Sequence, residues 1–401
     1  MKSPHFYPAP WVIVCGGFHQ FGGMDLANLS LCQELLRQGR KLFLVGHEFD
    51  PGLVRDPLVT ATRVRRPLRS TLLGEYALSR TGRRVAKEVM LHRPDARILV
   101  NGGNCDSSDI NWVHSVHSAW PRADDRAPLA FRMKSALGKR KAIRDEKKAL
   151  LASRVLIANS ERTKSDLIGL GIPETAIRVV YLGSSEHWRP ATPQARKEAR
   201  DGYGIPLSHK VIAFVGALGF DCNKGFDTLL RAFQESTLKN CHLLAAGGGR
   251  GLHFWESIVE RLGLSHRVHL LGFSHDIGKV LNASDLLVSP ARYEAYGLNV
   301  HEAICRDLPS IVTASAGVAE HYTPSLSHYL LRDPEDYRAL SQMLSRWFDG
   351  VNEAKEEFRS LGDTLRRRSW QLMSQELIRA VENPEPLSLE DAGGVSRLAL
   401  A

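Results

Sequence analysis

Short apolar runs punctuate the chain, each followed by a glycine-rich or polar loop and then by leucines at helical spacing. The first run is Trp11-Val12-Ile13-Val14-Cys15, and Gly16-Gly17 follow it. Leu26, Leu29, Leu31, Leu35 and Leu36 then recur on one helix face. This helix is expected to stop near Gly39, before the strand Lys41-Leu42-Phe43-Leu44-Val45. Strand, loop, helix and strand in that order imply a parallel sheet. The alternation continues with strands at 98–100, 155–158 and 177–181, a helix ending near Leu91, and one long helical pattern over 129–151 that Gly138 is placed to interrupt. Residues 183–208 are polar, carry Pro190, Pro193 and Pro206, and read as containing a linker. A second α/β unit starts at 211–216, with a helix at 226–233, strands at 242–246, 268–271, 286–288 and 310–313, and a helical tail from 348 to 381.

Composition narrows the class. With 401 residues the chain is long enough for two domains. Its 43% hydrophobic and 24% charged content is that of a soluble globular protein. No apolar run approaches the ~20 residues of a membrane span, and the first run reads as a buried strand rather than a signal peptide. The six cysteines are scattered, with no pair at metal-ligand or redox spacing, and are expected to be reduced core thiols of a cytoplasmic protein. The net charge of +9 is uneven: residues 1–180 carry 29 Lys and Arg against 17 Asp and Glu, and the remainder is close to neutral. A basic first half suits a phosphorylated substrate, an anionic membrane surface or nucleic acid. No helix-turn-helix or aromatic-interleaved basic pattern supports nucleic acid.

Candidate chemistry clusters at 292–302. The strand at 286–288 runs through Ser289-Pro290 into a loop holding Glu294, then Tyr296-Gly297-Leu298, then a helix holding Glu302. Backbone amides at a helix N-terminus attract phosphate oxygens, and a carboxylate accepts from two neighbouring sugar hydroxyls. Two carboxylates flanking an anion site fit a sugar diphosphate. Lys224 precedes another helix at the carboxyl end of a strand, a natural partner for a diphosphate. Gly22-Gly23 allows close backbone approach. His114 and His117 stand at the exit of an apolar stretch, where substrate binding or acid/base work fits better than a metal site, because no carboxylate or cysteine nearby completes a ligand set. Eight basic residues between Arg132 and Lys148 make a basic amphipathic helix, which a solvated face or peripheral contact with a membrane would each explain.

These residues resemble a known family, the family-4 retaining glycosyltransferases of the GT-B fold. The resemblance covers most of residues 10–380 and is carried by Glu294-x7-Glu302 with Tyr296-Gly297 inside and Pro309 after. Gly22-Gly23, Lys224-Gly225, Asn159-Ser160, Gly183 and 317–320 support it. It implies an α/β fold of two Rossmann-like domains with parallel sheets facing across a cleft. An acceptor domain would span 1–183, with the return of a C-terminal helix at about 365–382. A nucleotide-sugar domain would span 208–364, and 383–401 would be a disordered tail. It implies transfer from a GDP- or UDP-sugar to a glycan, lipid-linked or small-molecule acceptor, with retention, as in polysaccharide biosynthesis, without a cofactor or metal. The protein would be cytoplasmic, with peripheral contact at the inner face of a membrane.

Carried over, Glu302 would hold the ribose hydroxyls and Glu294 the donor sugar. The backbone at Tyr296, Gly297 and Leu298 would lie near the diphosphate, which Lys224 would neutralise and Gly22 and Gly23 would approach from the other domain. His114, or His117 in its place, would point at the sugar. The chain departs from the family at Ala217, where an arginine is usual; Arg250 or Arg292 would have to supply that charge. Asp307 replaces a common glycine, and Ser184-Ser185 a segment that commonly ends in Asp. Two other readings share the fold: a nucleotide-sugar epimerase, and a non-catalytic nucleotide-sugar-binding protein.

Overall fold

The structure is a computed structural model that describes residues 8–67, 70–120, 127–220, 222–236, 238–350 and 354–382. The tail expected to be disordered, 383–401, lies outside them. The chain divides into two compact units. Unit 1 comprises Met1–His117, Arg140–Gly183 and Trp370–Ala401, and unit 2 comprises Ser118–Lys139 and Ser184–Ser369.

Unit 1 is built on seven parallel strands: β1 (Trp11–Val14), β2 (Leu42–Gly46), β3 (Val59–Arg63), β4 (Arg97–Asn101), β5 (Ile110–Val113), β6 (Val155–Ala158) and β7 (Ile177–Val179). Their order is β3-β2-β1-β4-β5-β6-β7. β1, β5 and β6 are buried along their whole length. A parallel sheet covered on both faces demands such burial, and the unbroken apolar runs of β1 and β6 were clear marks in the sequence, whereas β5 carries Asn111 and was not read as a strand. The strand order reverses between β1 and β4, the position where open α/β sheets leave a crevice beyond the carboxyl ends. The last helix, Trp370–Glu382, packs on the first, Gly23–Arg37, within this unit. Gln375 Nε2 donates to Glu34 Oε1 at 3.1 Å, and Arg40 Nη2 lies 2.7 Å from Glu382 Oε1.

Unit 2 holds six parallel strands: β8 (Lys210–Val215), β9 (Cys241–Ala246), β10 (Val268–Gly272), β11 (Leu286–Ser289), β12 (Ser310–Thr313) and β13 (Leu330–Leu331). They lie in the order β10-β9-β8-β11-β12-β13, reversing between β8 and β11. The loops at this reversal are pressed together. A Cβ on Gly247 would sit 1.7 Å from Gly216 O, and one on Gly225, whose φ is +72°, would sit 1.9 Å from Pro290 O. Only glycine permits that approach.

Three features differ from the sequence reading. The polar stretch taken for linker contains a helix, Pro193–Tyr203, capped by Thr192 Oγ1 accepting from Ala195 N at 3.1 Å. Its Arg200 is fully buried and bound to Asp285 at 2.8 Å and to the carbonyls of Pro206 and His209. The helix Leu129–Ala152 runs unbroken through Gly138. Asp307 holds φ +57°, a left-handed conformation that glycine adopts freely; here Arg366 binds its carboxylate at 2.7 Å and stabilises it. All six cysteines are buried, and none is in a disulfide.

Candidate functional site

In unit 2 the reversal between β8 and β11 gathers most of the residues singled out from the sequence. Lys224 Nζ lies 2.6 Å from Glu294 Oε2, and both side chains are largely shielded. The stem of Lys224 packs on Gly216, where a Cβ would come within 3.1 Å of its Cγ. Glu294 is held by its backbone, because Gly317 N donates to its carbonyl at 3.2 Å. Asn223 fixes the same loop, donating to Tyr293 O and accepting from Tyr293 N at 3.1 and 3.0 Å.

Gly297 turns the chain into the helix Leu298–Ile304 with φ +106°. Among the described residues, no carbonyl accepts from the amides of Gly297 and Leu298. Asn299 Nδ2 donates to Val215 O at 2.8 Å and ties the helix to the end of β8. Tyr296 is buried, its hydroxyl 2.6 Å from His301 Nδ1 and 3.5 Å from His321 Nε2. Burial raises the Tyr296 pKa and lowers those of His301 and His321 to about 3 and about 4, so this buried cluster is neutral.

The Glu302 side chain makes no hydrogen bond or ion pair among the described residues. Desolvation pushes its pKa up to about 8, against the pull of Arg306. Arg306 is itself engaged: its guanidinium lies over Trp188 at 4.9 Å and donates to Asn282 Oδ1. Of the two arginines considered as replacements at Ala217, Arg292 is committed to the scaffold. It makes two 2.9 Å bonds to Asp227, one of 3.0 Å to Glu335, and one to Cys222 O. Arg250 is exposed and carries no ion pair among the described residues. Its loop is tied to the one after β8 through Leu218 N→Gly248 O (3.0 Å) and Gly251 N→Leu218 O (3.1 Å).

Unit 1 presents its own groups. Gly22, φ +89°, precedes the helix Gly23–Arg37, whose first turn no side chain caps. In that first turn Asp25 Oδ2 lies 3.6 Å from Nε2 of His19, which stands in the loop before the helix. The His114 ring packs at a 43° tilt against Trp112, with centroids 4.6 Å apart. Its Nε2 has no partner among the described residues, and burial lowers its pKa to about 3, so the ring is neutral. His117 differs: Glu146, with a fully buried carboxylate, accepts from His117 N at 2.9 Å and contacts Nδ1 at 2.8 Å. Both histidines border a cavity of about 470 Å³ that also touches Tyr76, Asn101, Asp106 and Lys141. Glu146 gave no signal in the sequence, where it was one acid inside a basic helix; the same is true of Asn101, Asn223 and Asn299. Among the described residues no group of three or more His, Cys, Asp or Glu is placed to hold a metal ion, and no helix is long and apolar enough to cross a membrane.

Comparison with known proteins agrees in both units. Residues 195–360 match the family model of glycosyl transferases group 1, and residues 21–185 match that of glycosyltransferase family 4. A D-inositol 3-phosphate glycosyltransferase of Corynebacterium urealyticum is 29% identical over 263 residues, 60% of this chain and 59% of that protein. The chain spans 58–59% of the length of the first curated relatives it matches. Among solved structures, WaaG, a glycosyltransferase involved in lipopolysaccharide biosynthesis, superposes with a TM-score of 0.74 at 18% identity, covering 93% of this chain and 100% of that one. Anabaena HepE, solved with UDP and glucose, gives 0.66 at 15%, covering 93% and 99%. Likeness at this identity establishes the fold, which is α/β and GT-B.

Proposed function

We propose a reaction for a chain that belongs to the family-4-type glycosyltransferases of the GT-B fold: it moves a sugar from a nucleotide-sugar donor, such as a GDP- or UDP-sugar, to a hydroxyl acceptor with retention of configuration. One observation carries the proposal. Lys224 and Glu294 meet at the strand-order reversal of unit 2, where the loop from Glu294 leads through Gly297 into the short helix that carries Glu302. In the reaction proposed, the bond between the anomeric carbon and the diphosphate oxygen breaks. The acceptor oxygen bonds to that carbon from the same face, and its proton passes to the departing phosphate oxygen. Lys224 and the amides of Gly297 and Leu298 stabilise the charge that grows on the diphosphate. Glu302 holds the ribose hydroxyls, Glu294 the donor sugar, and His114 a sugar hydroxyl. No metal ion takes part.

The solved HepE complex with UDP and glucose supports a nucleotide donor. No observation favours the epimerase reading. The acceptor is a glycan, a lipid-linked glycan or a small molecule. Contact with an anionic membrane surface belongs to the same proposal: Leu129, Met133 and Leu137 follow one another at four-residue spacing, more than half exposed, on the helix that carries Lys134, Arg140 and Arg144.

A thermal-shift screen of nucleoside diphosphates and nucleotide sugars, with and without a chelator, tests the donor site, because a ligand that binds only the folded chain raises its melting temperature. A chelator-insensitive rise with one nucleotide supports the reading and names the base. No rise with any of them overturns it. Co-sedimentation with phosphatidylglycerol vesicles tests the membrane contact, and equal recovery with neutral vesicles removes the electrostatic part.

A further inference from the structure

Glu302 and Arg306 stand one helical turn apart and do not pair. Glu302 lies in the helix Leu298–Ile304. Beyond its end Cys305 N donates to His301 O and Arg306 N to Ala303 O, both at 2.9 Å, so the chain is still turning helically at Arg306. A glutamate with an arginine four residues on is the favoured order for an ion pair along a helix. Burial dominates the proton affinity of both groups, and against it each charge favours the other. Yet the Glu302 side chain makes no hydrogen bond or ion pair among the described residues, and Arg306 Nε has no partner among them either.

Two other segments hold the guanidinium. Its carbon lies 4.9 Å from the ring centroid of Trp188, a cation–π contact that strengthens where water is excluded. Nη1 donates to Asn282 Oδ1. A Cβ built on Gly278 would lie 3.0 Å from Arg306 Nη2 and 3.2 Å from Asp276 Oδ1, so bare backbone leaves room for the arginine beside a second carboxylate. Trp188 precedes the helix Pro193–Tyr203, and Gly278 and Asn282 belong to the helix Ile277–Ala283. The arginine is therefore drawn off its own helix by groups from elsewhere in unit 2.

The consequence falls on the site. Arg306 paired with Glu302 would occupy the carboxylate oxygens that ribose hydroxyls need, and a ligand would first have to break that pair. Held on Trp188 and Asn282, the same arginine leaves the carboxylate open, and its charge still favours the ionised form from a distance.

We propose that Trp188 and Asn282 are positioning residues for nucleotide binding: they hold Arg306 off Glu302 and so keep that carboxylate open to the ligand. The inference rests on the transferase reading above, in which Glu302 holds the ribose hydroxyls.

Calorimetric titration of the full chain with UDP and GDP tests it, at pH 9, above the Glu302 pKa of about 8. Asn282→Ala and Trp188→Leu each free the arginine. Each should weaken binding about fivefold, the scale of competition with one half-exposed ion pair. Adding Arg306→Met to either variant should restore the affinity of Arg306→Met alone, because no cation is left to cover the carboxylate. A lesion that only loosened packing is not healed by removing a further side chain. Melting temperatures read beside each titration report folding, and the two variants stand independently should one fail to fold. Unchanged affinity in a folded variant, or a loss that Arg306→Met does not restore, overturns the proposal. Glu302→Gln separates the two readings. Wild-type affinity in Glu302→Gln sinks the ribose assignment itself. Weaker binding there with none lost in Asn282→Ala and Trp188→Leu sinks only this inference.

Discussion

Lys224 Nζ lies 2.6 Å from Glu294 Oε2, so the cation assigned to the diphosphate and the carboxylate assigned to the sugar bind each other. A diphosphate must therefore compete with Glu294 for the ammonium group. In Glu294→Gln the ammonium loses its charged partner, and affinity for free UDP or GDP should rise several-fold while turnover falls about a hundredfold, the scale of one lost transition-state contact. Lys224→Met should lower both. Calorimetric titration and initial rates measure the two effects. Nucleotide affinity unchanged in both variants would remove Lys224 from the diphosphate site.

Glu302 sets binding against stability. Its folded pKa of about 8 lies above the usual 4.5. Between those values the unfolded chain ionises this group and the folded chain resists, so stability falls as pH rises through the window, with the full penalty present above pH 8. Glu302→Gln removes the penalty. The variant should melt about 2 °C higher than the wild type at pH 9, and the difference should vanish below pH 4.5. The same variant should bind nucleotide about tenfold more weakly, as one hydrogen bond to the ribose is lost. Equal nucleotide affinity would sink the ribose assignment, and equal melting at pH 9 would show that the carboxyl is not desolvated.

The fold was legible because β1 and β6 are buried along their whole length and leave unbroken apolar runs. Glu294, Tyr296–Leu298 and Glu302 were legible because one strand, one loop and one short helix carry them in sequence. What stayed hidden depends on partners far apart in the chain. Arg200 and Asp285 meet across 85 residues, and that contact turns a polar stretch into a packed helix. Glu146 reaches His117 across 29 residues from a helix whose composition is basic. Asp307 looked like a defect, yet Arg366, 59 residues away, holds its left-handed backbone in place. Composition and periodicity report burial; they do not report which distant group satisfies a buried charge.

His114 is neutral throughout the physiological range, because burial lowers its pKa to about 3. A neutral ring can offer Nε2 to a sugar hydroxyl across the neutral pH range. The activity profile should therefore show no acidic limb near pH 6.5 that disappears in His114→Asn. His114→Ala should lower turnover about a hundredfold with little change in nucleotide affinity. A limb near 6.5 in the wild type that is absent from His114→Asn would contradict the neutral assignment.

Three histidines form a ladder in unit 2, His209 just before β8, His242 in β9 and His269 in β10. His209 Nδ1 lies 2.9 Å from His242 Nε2, and His242 Nδ1 lies 3.1 Å from His269 Nε2, with the rings stacked at 5.2 and 5.3 Å. Burial lowers the His242 pKa to about 4, and His269, His209, Arg200 and Arg267 push in the same direction. A histidine whose pKa is depressed on folding binds its proton more readily in the unfolded chain. Stability is therefore lost as pH falls from 6.5 towards 4. His242→Gln preserves a donor and an acceptor and removes the titration. The wild type should lose more melting temperature than the variant between pH 7 and pH 5, by about 2–4 °C, a modest figure because the ring is only partly shielded. His301 and His321 titrate in the same direction in both proteins, so the difference between the two curves isolates the ladder. Parallel curves would mean that His242 adds nothing to the acid sensitivity of unit 2.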